Sequence, residues 1–216
     1  MLAAILHVDS TTVAWSFGLR NLIVPGEFSC LAGMPFDMAR NTACAQCLQG
    51  GFEYLFFLDS DCIPPRDAVL RLLSHRKPII SGVYCRRSPP HGIPVMIKGG
   101  QWITQYTPGA ILEVDFVGAG CLLIHRSVLE SLPPNKMRPE HRWFHWRVDA
   151  RGVVGENGLP LYPEGECLSE DFAFSLECRK QLGIPTLVDT SIVCRHVGYA
   201  QAIPGGMYPL ETHPVT

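Results

Sequence analysis

No apolar stretch in the 216 residues approaches the ~20 that a bilayer-spanning helix requires. The apolar opening, Met1 to Val8, lacks the basic flank and small-residue cleavage site of a secretory leader, and reads instead as a first strand. The expectation is a cytoplasmic chain without a transmembrane segment. Positive charge is not in excess either: 18 Lys and Arg face 20 Asp and Glu, with no Lys/Arg-rich run, so nucleic acid is not an expected partner. Internal repeats and low-complexity segments are absent. The nine cysteines make no paired zinc pattern, because Cys44-Ala-Gln-Cys47 has no second CxxC to complete it. That motif also falls inside a predicted helix rather than at its start, which argues against a redox role. Most cysteines sit within apolar runs, such as Val83-Tyr-Cys85, and read as small buried hydrophobes in a reducing compartment.

What is present describes a globular chain: 47% hydrophobic residues against 18% charged gives enough apolar surface to bury a core. Strand-like and helix-like segments alternate, which predicts an α/β fold with a mostly parallel sheet. Strands are expected over Leu2 to Val8, Glu27 to Leu31, Tyr54 to Leu58 and Pro78 to Tyr84. Two more strands' worth of sequence lies between Ile111 and Ile124, broken by Gly118-Ala-Gly120, and late strands are expected over Thr186 to Asp189 and Ile192 to Cys194. Helices are expected over Thr11 to Leu22, Asp37 to Gln49, from Pro64-Pro65 onward, over Arg126 to Leu132, and over Ser169 to Leu182. The last has Ser169 as its cap, Glu170 and Asp171 at its positive end, and Gly183 to stop it. The stretch from Ser88 to about Thr107 and the tail from Val197 read as irregular. Pro133 to Gly165, polar and aromatic, is too long for a plain connector.

Asp59 and Asp61 follow directly on the uninterrupted apolar strand Tyr54 to Leu58. Ligands of open parallel sheets bind beyond the carboxyl ends of strands. Two carboxylates one residue apart there can reach one cation, and a hard divalent cation shares oxygen ligands readily with phosphates. The bland alternative is a pair of solvated turn aspartates. The pair alone does not choose a chemistry.

The wider order of motifs is more specific. Arg40-Asn41 precedes Tyr54-Leu-Phe-Phe-Leu-Asp59-Ser-Asp61; then come Ile80-Ser-Gly-Val-Tyr84, Val117-Gly-Ala-Gly-Cys121, Ser169-Glu-Asp171 and Arg195-His-Val-Gly198. Over roughly residues 36 to 198 this resembles the small nucleotide-sugar-dependent glycosyltransferases of the GT-A fold, close to the family 2 type. The resemblance implies a GT-A domain spanning 1–216: a Rossmann-like, nucleotide-binding half over 1–110, an acceptor-side half over 111–198, and a tail over 199–216; because the stretch Val197 to Thr216 follows His196 and carries Gly198, Gly205 and Gly206, it is expected to fold over bound donor. It implies a nucleoside-diphosphate sugar as donor, a carbohydrate or other hydroxyl as acceptor, and a divalent metal, Mn2+ or Mg2+, as cofactor. Asp61 and His196 would ligate the metal, and Asp59 would lie near the metal or the donor. Arg40 would face the nucleotide or its diphosphate, and Gly118 and Gly120 would let backbone approach the donor sugar. Asp171, beside Glu170, would act on the acceptor as general base in an inverting enzyme. Trp143 and Trp146, in Arg142-Trp-Phe-His-Trp-Arg147, are candidates to stack on an acceptor sugar.

Each role has an ordinary counterpart: a solvated helix charge for Arg40, helix-dipole complements for Glu170 and Asp171, a core histidine for His196, a β-bulge at Gly118 to Gly120, core packing for Trp143 and Trp146. Two other functions compete. A haloacid-dehalogenase-type phosphatase would use Asp59 as nucleophile, although Ile63 departs from its usual motif and only Lys98 or Lys136 could serve as its lysine. A non-catalytic sugar-binding module would need neither nucleotide nor metal. A dinucleotide-dependent oxidoreductase is weaker, since Gly118-Ala-Gly120 lacks the third glycine of that fingerprint.

Overall fold

The computed structural model describes residues 1–7, 11–86, 92–135, 141–147, 167–197, 200–203 and 206–209. Most of the 133–165 segment, Lys136, Gly198, Gly205 and the end of the tail lie outside the described residues. The elements run β1 (Leu2–His7), α1 (Val13–Asn21), β2 (Glu27–Ala32), α2 (Phe36–Gln49), β3 (Tyr54–Asp59), β4 (Cys62–Ile63), α3 (Ala68–Ser74) and β5 (Ile79–Val83). Short strands β6 (Met96–Lys98), β7 (Gln101–Trp102), β8 (Ile111–Val114) and β9 (Phe116–Val117) lead to β10 (Cys121–His125) and α4 (Arg126–Ser131). The chain closes with α5 (Glu170–Leu182), β11 (Thr186–Val193), β12 (Arg195–Val197), β13 (Ala200–Ile203) and β14 (Gly206–Pro209).

The central sheet has seven strands in the order β2-β1-β3-β10-β5-β11-β8. β1 pairs in parallel with β2 and β3, and β5 with β11, whereas β10 and β8 run against their neighbours. The sheet is therefore mostly parallel, with two reversed strands, and helices flank it on both faces. Alternation within the apolar strands explains how both faces are filled. Leu55 and Phe57 enter one core with α2, α4 and α5, while Phe56 and Leu58 enter the other with α1 and α3. A strand covered on both faces has no polar side to show, so Tyr54 to Leu58 reads as a continuous apolar run.

The structure departs from the sequence expectations in four places. The two late strands are one strand, β11, whose register on β5 shifts between Asp189 and Val193. The irregular stretch around Met96 holds β6 and β7, which join β9 in a three-stranded sheet. The described part of the tail is not irregular: β12, β13 and β14 form a four-stranded antiparallel sheet with β4. Helix α3 starts at Ala68, because residues 66–67 form a turn after the two prolines. Gly183 stops α5 as expected, in the left-handed conformation with φ 66°. Among the described residues no helix is long and apolar enough to cross a membrane.

Candidate active site

The carboxyl end of β3 delivers Asp59, and backbone bonds fix the turn that follows. The Asp59 N–H donates to Gly120 O at 3.2 Å, its carbonyl accepts from Trp15 Nε1 at 3.0 Å, and Ser60 N–H donates to Leu6 O at 3.0 Å. Directly after the turn, β4 pairs antiparallel with β12, which sets Cys62 opposite His196. Val197 N–H also donates to the Asp61 carbonyl at 2.7 Å. A strand from far later in the sequence is thereby fastened to the acidic turn.

That pairing brings His196 Nε2 to 3.2 Å from Asp61 Oδ1. The other ring nitrogen, Nδ1, lies 2.8 Å from the Cys85 carbonyl. A carbonyl oxygen only accepts, so Nδ1 carries the hydrogen and Nε2 is directed at Asp61. An imidazole fixed by a backbone carbonyl beside a carboxylate suits a divalent cation. Among the described residues there is no group of three or more His, Cys, Asp or Glu that could hold a metal ion. A cation beside Asp61 and His196 would therefore find two protein ligands there, and oxygens of a substrate would have to supply others.

Arg40 is buried, and its partners are protein groups. The α2 face that meets the core carries Asp37, Arg40, Asn41, Cys44 and Cys47, spaced as one side of a helix. The guanidinium lies over the Phe57 and Phe144 rings. Its Nη2 donates to Asp59 Oδ1 and Oδ2 at 3.1 and 3.3 Å, Nε to Glu170 Oε1 at 3.2 Å, and Nη1 to the Ala119 carbonyl at 3.4 Å. Burial works against its charge, but Asp59, Glu170 and Asp171 outweigh burial and hold it above the ordinary range. Burial pushes the Asp59 carboxyl up, with Arg40 opposing. Burial and then Asp171 push Glu170 up to about 7, again against Arg40. Arg40 and Glu170 thus make a buried ion pair that orders the site; the resemblance had Arg40 facing the nucleotide or its diphosphate and Glu170 beside the acceptor-side Asp171.

Asp171, half-buried at the start of α5, is oriented by three donors. Ser169 Oγ and the Phe172 N–H (2.8 Å) reach Oδ1, and the Ala119 N–H reaches Oδ2 at 3.3 Å. Ser169 occupies the cap position, but its hydroxyl serves this carboxylate and not a helix N–H. Asp61, Asp171 and His196 all act electrostatically on Asp59, which places the four groups in one neighbourhood.

Gly118 to Gly120 link β9 to β10. A Cβ at Gly118 would fall 1.7 Å from the Tyr84 hydroxyl oxygen, and one at Gly120 would fall 3.2 Å from Asp59 Oδ2 and from Tyr84 Cζ. The glycines first of all make room for Tyr84, whose hydroxyl accepts the Gly120 N–H at 3.3 Å. Burial, Asp171 and Asp59 push the Tyr84 phenol well up.

The two tryptophans part company. Trp143 is buried in the core, and its Nε1 donates to Leu129 O at 2.8 Å. Trp146 is exposed. Asn41 explains the difference: its Oδ1 accepts the Trp143 and Phe144 N–H groups at 2.9 and 3.2 Å, and its Nδ2 donates to the Phe144 carbonyl at 2.6 Å. His141 Nδ1 adds a contact to Asp37 Oδ2 at 2.9 Å. Asn41 and Tyr84 were both inside the motifs quoted above, yet a structural or binding role for either has no signature in residue type or spacing. Cys44 and Cys47 are buried, and burial raises both thiols, Cys47 to about 11. That fits core cysteines.

No family model matches the chain, and no curated protein matches it by sequence. Among solved structures, the crystal structure of A197 from STIV superposes with a TM-score of 0.61 at 17% identity, covering 100% of this chain and 96% of that one. Apo-UDP-glucose pyrophosphorylase gives a TM-score of 0.41 at 11% identity, covering 90% of this chain and 75% of that one. Mannose-1-phosphate geranyltransferase from Thermus thermophilus gives 0.41 at 12%, covering 78% and 73%. The first likeness shows a shared fold; the other two are too distant to argue from.

Proposed function

We propose that the chain is a metal-dependent glycosyltransferase, moving a sugar from a nucleoside-diphosphate sugar to an acceptor hydroxyl. The observation that carries this reading is the Asp61–His196 pair at 3.2 Å, next to Asp59 and within the same neighbourhood as Asp171. A divalent cation, Mn2+ or Mg2+, held there would neutralise charge that builds on a diphosphate leaving group. The motif order in the sequence agrees with the same division of labour.

The side chains then have separate tasks. Asp61 and His196 would hold a cation, and it would supply the charge that binds the diphosphate end. Arg40, held by Glu170, fixes the Asp59 carboxylate and the Ala119 carbonyl, which keeps the donor side rigid. Asp171 Oδ2 has one donor at 3.3 Å and keeps accepting capacity, so it takes the proton of the acceptor hydroxyl as that oxygen attacks the anomeric carbon. The phosphatase alternative asks Asp59 to attack phosphorus, but both Asp59 oxygens accept from Arg40.

Two substitutions test the assignment. Asp61→Ala is expected to abolish metal-dependent nucleotide binding. Asp171→Asn is expected to leave donor binding intact and to lower transfer by about 10²-fold or more, in line with the loss of a general base. Transfer at the parent rate by Asp171→Asn would remove the base assignment, and hydrolysis of a simple phosphate ester that depends on Asp59 would favour the phosphatase.

A further inference from the structure

Tyr84 follows β5 directly and is 7% exposed. Its ring stands edge-on to His196, with centroids 5.3 Å apart and planes at 87°. Its hydroxyl reaches the Gly118–Gly120 link and accepts the Gly120 N–H. The neighbouring N–H on that link, from Ala119, holds Asp171. One buried side chain therefore spans from the proposed cation ligand to the backbone that carries the proposed base. The space it fills is reserved by sequence, since a Cβ at Gly118 would overlap the hydroxyl.

A phenol has one hydrogen to donate and keeps it at neutral pH. The bond from Gly120 uses only the accepting capacity of the oxygen. Among the described residues no acceptor stands opposite the Tyr84 hydrogen. Buried donors in folded proteins nearly always have a partner, and one without a protein partner beside a site points to a ligand. In glycosyl transfer the sugar in transit lies between the leaving diphosphate and the base. The Tyr84 ring lies against His196, and Asp171 and Asp59 are the carboxylates acting on its hydroxyl, so the side chain borders the ground between the two.

We infer that Tyr84 is a substrate-binding residue whose hydroxyl donates to an oxygen of the transferred sugar. This rests on the glycosyltransferase reading above. Tyr84→Phe keeps the ring against His196 and removes the donor, so it separates sugar recognition from diphosphate binding. Binding of UDP, GDP, UDP-glucose and GDP-mannose in manganese would be measured by calorimetry for parent and variant. The expected result is unchanged diphosphate affinity with about tenfold weaker binding of the matching sugar conjugate, the size of one good hydrogen bond. Equal weakening of both ligands would make Tyr84 a support for His196 and overturn the inference, as would no weakening at all. Gly118→Ala, which displaces the same hydroxyl, is expected to show the same selective loss, and retained diphosphate binding is the folding control for both variants. A parent protein that binds none of the four ligands overturns the transferase reading itself, a result distinct from selective failure at Tyr84.

Discussion

At the scale of single residues, the site is organised around one buried cation. Arg40 meets Asp59 and Glu170 from positions 19 and 130 residues away in sequence. Removing one partner of a buried ion pair leaves an uncompensated charge, which is far costlier than losing the pair as a whole. Arg40→Met is expected to destabilise the chain by about 3–5 kcal/mol in urea unfolding; a change below about 1 kcal/mol would mean that the pair is not buried as described. Glu170 adds a pH dependence. Its carboxyl is raised in the folded chain, so between its ordinary range and about pH 7 the folded chain retains a proton that the unfolded chain has released. Stability contributed by that group is present at low pH and is lost as pH rises through this window. Glu170→Gln removes the titration. Its urea midpoint relative to the parent is expected to improve between pH 5 and pH 8, whereas a constant difference would contradict the raised carboxyl. Asp59, Asp61 and Asp171 were legible as candidates because each sits at the end of a strand or the start of a helix. The Arg40 partners were not, since nothing local in a helix reveals what its polar residue meets across the fold.

At the scale of elements, α2 does two jobs from one face. Arg40 orders the acidic site, and the next residue, Asn41, binds the backbone of residues 143 and 144 as a strand would. Asn41→Ala leaves two N–H groups and a carbonyl without their partner, at a cost of about 1–3 kcal/mol for each one that stays buried. Hydrogen exchange at the Trp143 and Phe144 amides is expected to speed up in this variant, with little change in the β3 amides; equal protection in both proteins would show that packing of Phe144 alone holds the segment. Strands buried on both faces were easy to read, because their apolar runs have no competing explanation. Trp143 and Trp146 were not, because aromatics spaced by three fit a binding loop and a core equally well. The structure buries Trp143 and leaves Trp146 exposed. The tail was misread for a different reason. β12 exists only through its pairing with β4 and β13, and a three-residue strand carries no pattern of its own.

At the scale of the molecule, the order of the central sheet puts the ends of β1, β3 and β5 close together, and the return of β12 to β4 closes the acidic turn with His196. The fold class was legible from alternation of strands and helices. The meeting of Asp61 and His196 was expected from the family resemblance alone, because the main-chain pairing of β12 with β4 that produces it leaves no pattern in the sequence. On the proposed function, this closed turn holds a divalent cation for a nucleoside diphosphate. That claim is tested most directly by the thermal stability of the purified chain against a panel of nucleoside diphosphates and nucleotide sugars, with and without manganese. A ligand at about 100 times its dissociation constant adds about 2.7 kcal/mol, a readily visible shift. Stabilisation by one nucleotide family that requires manganese and disappears in Asp61→Ala is the predicted result. Stabilisation that is the same without metal, or that survives Asp61→Ala, would contradict it.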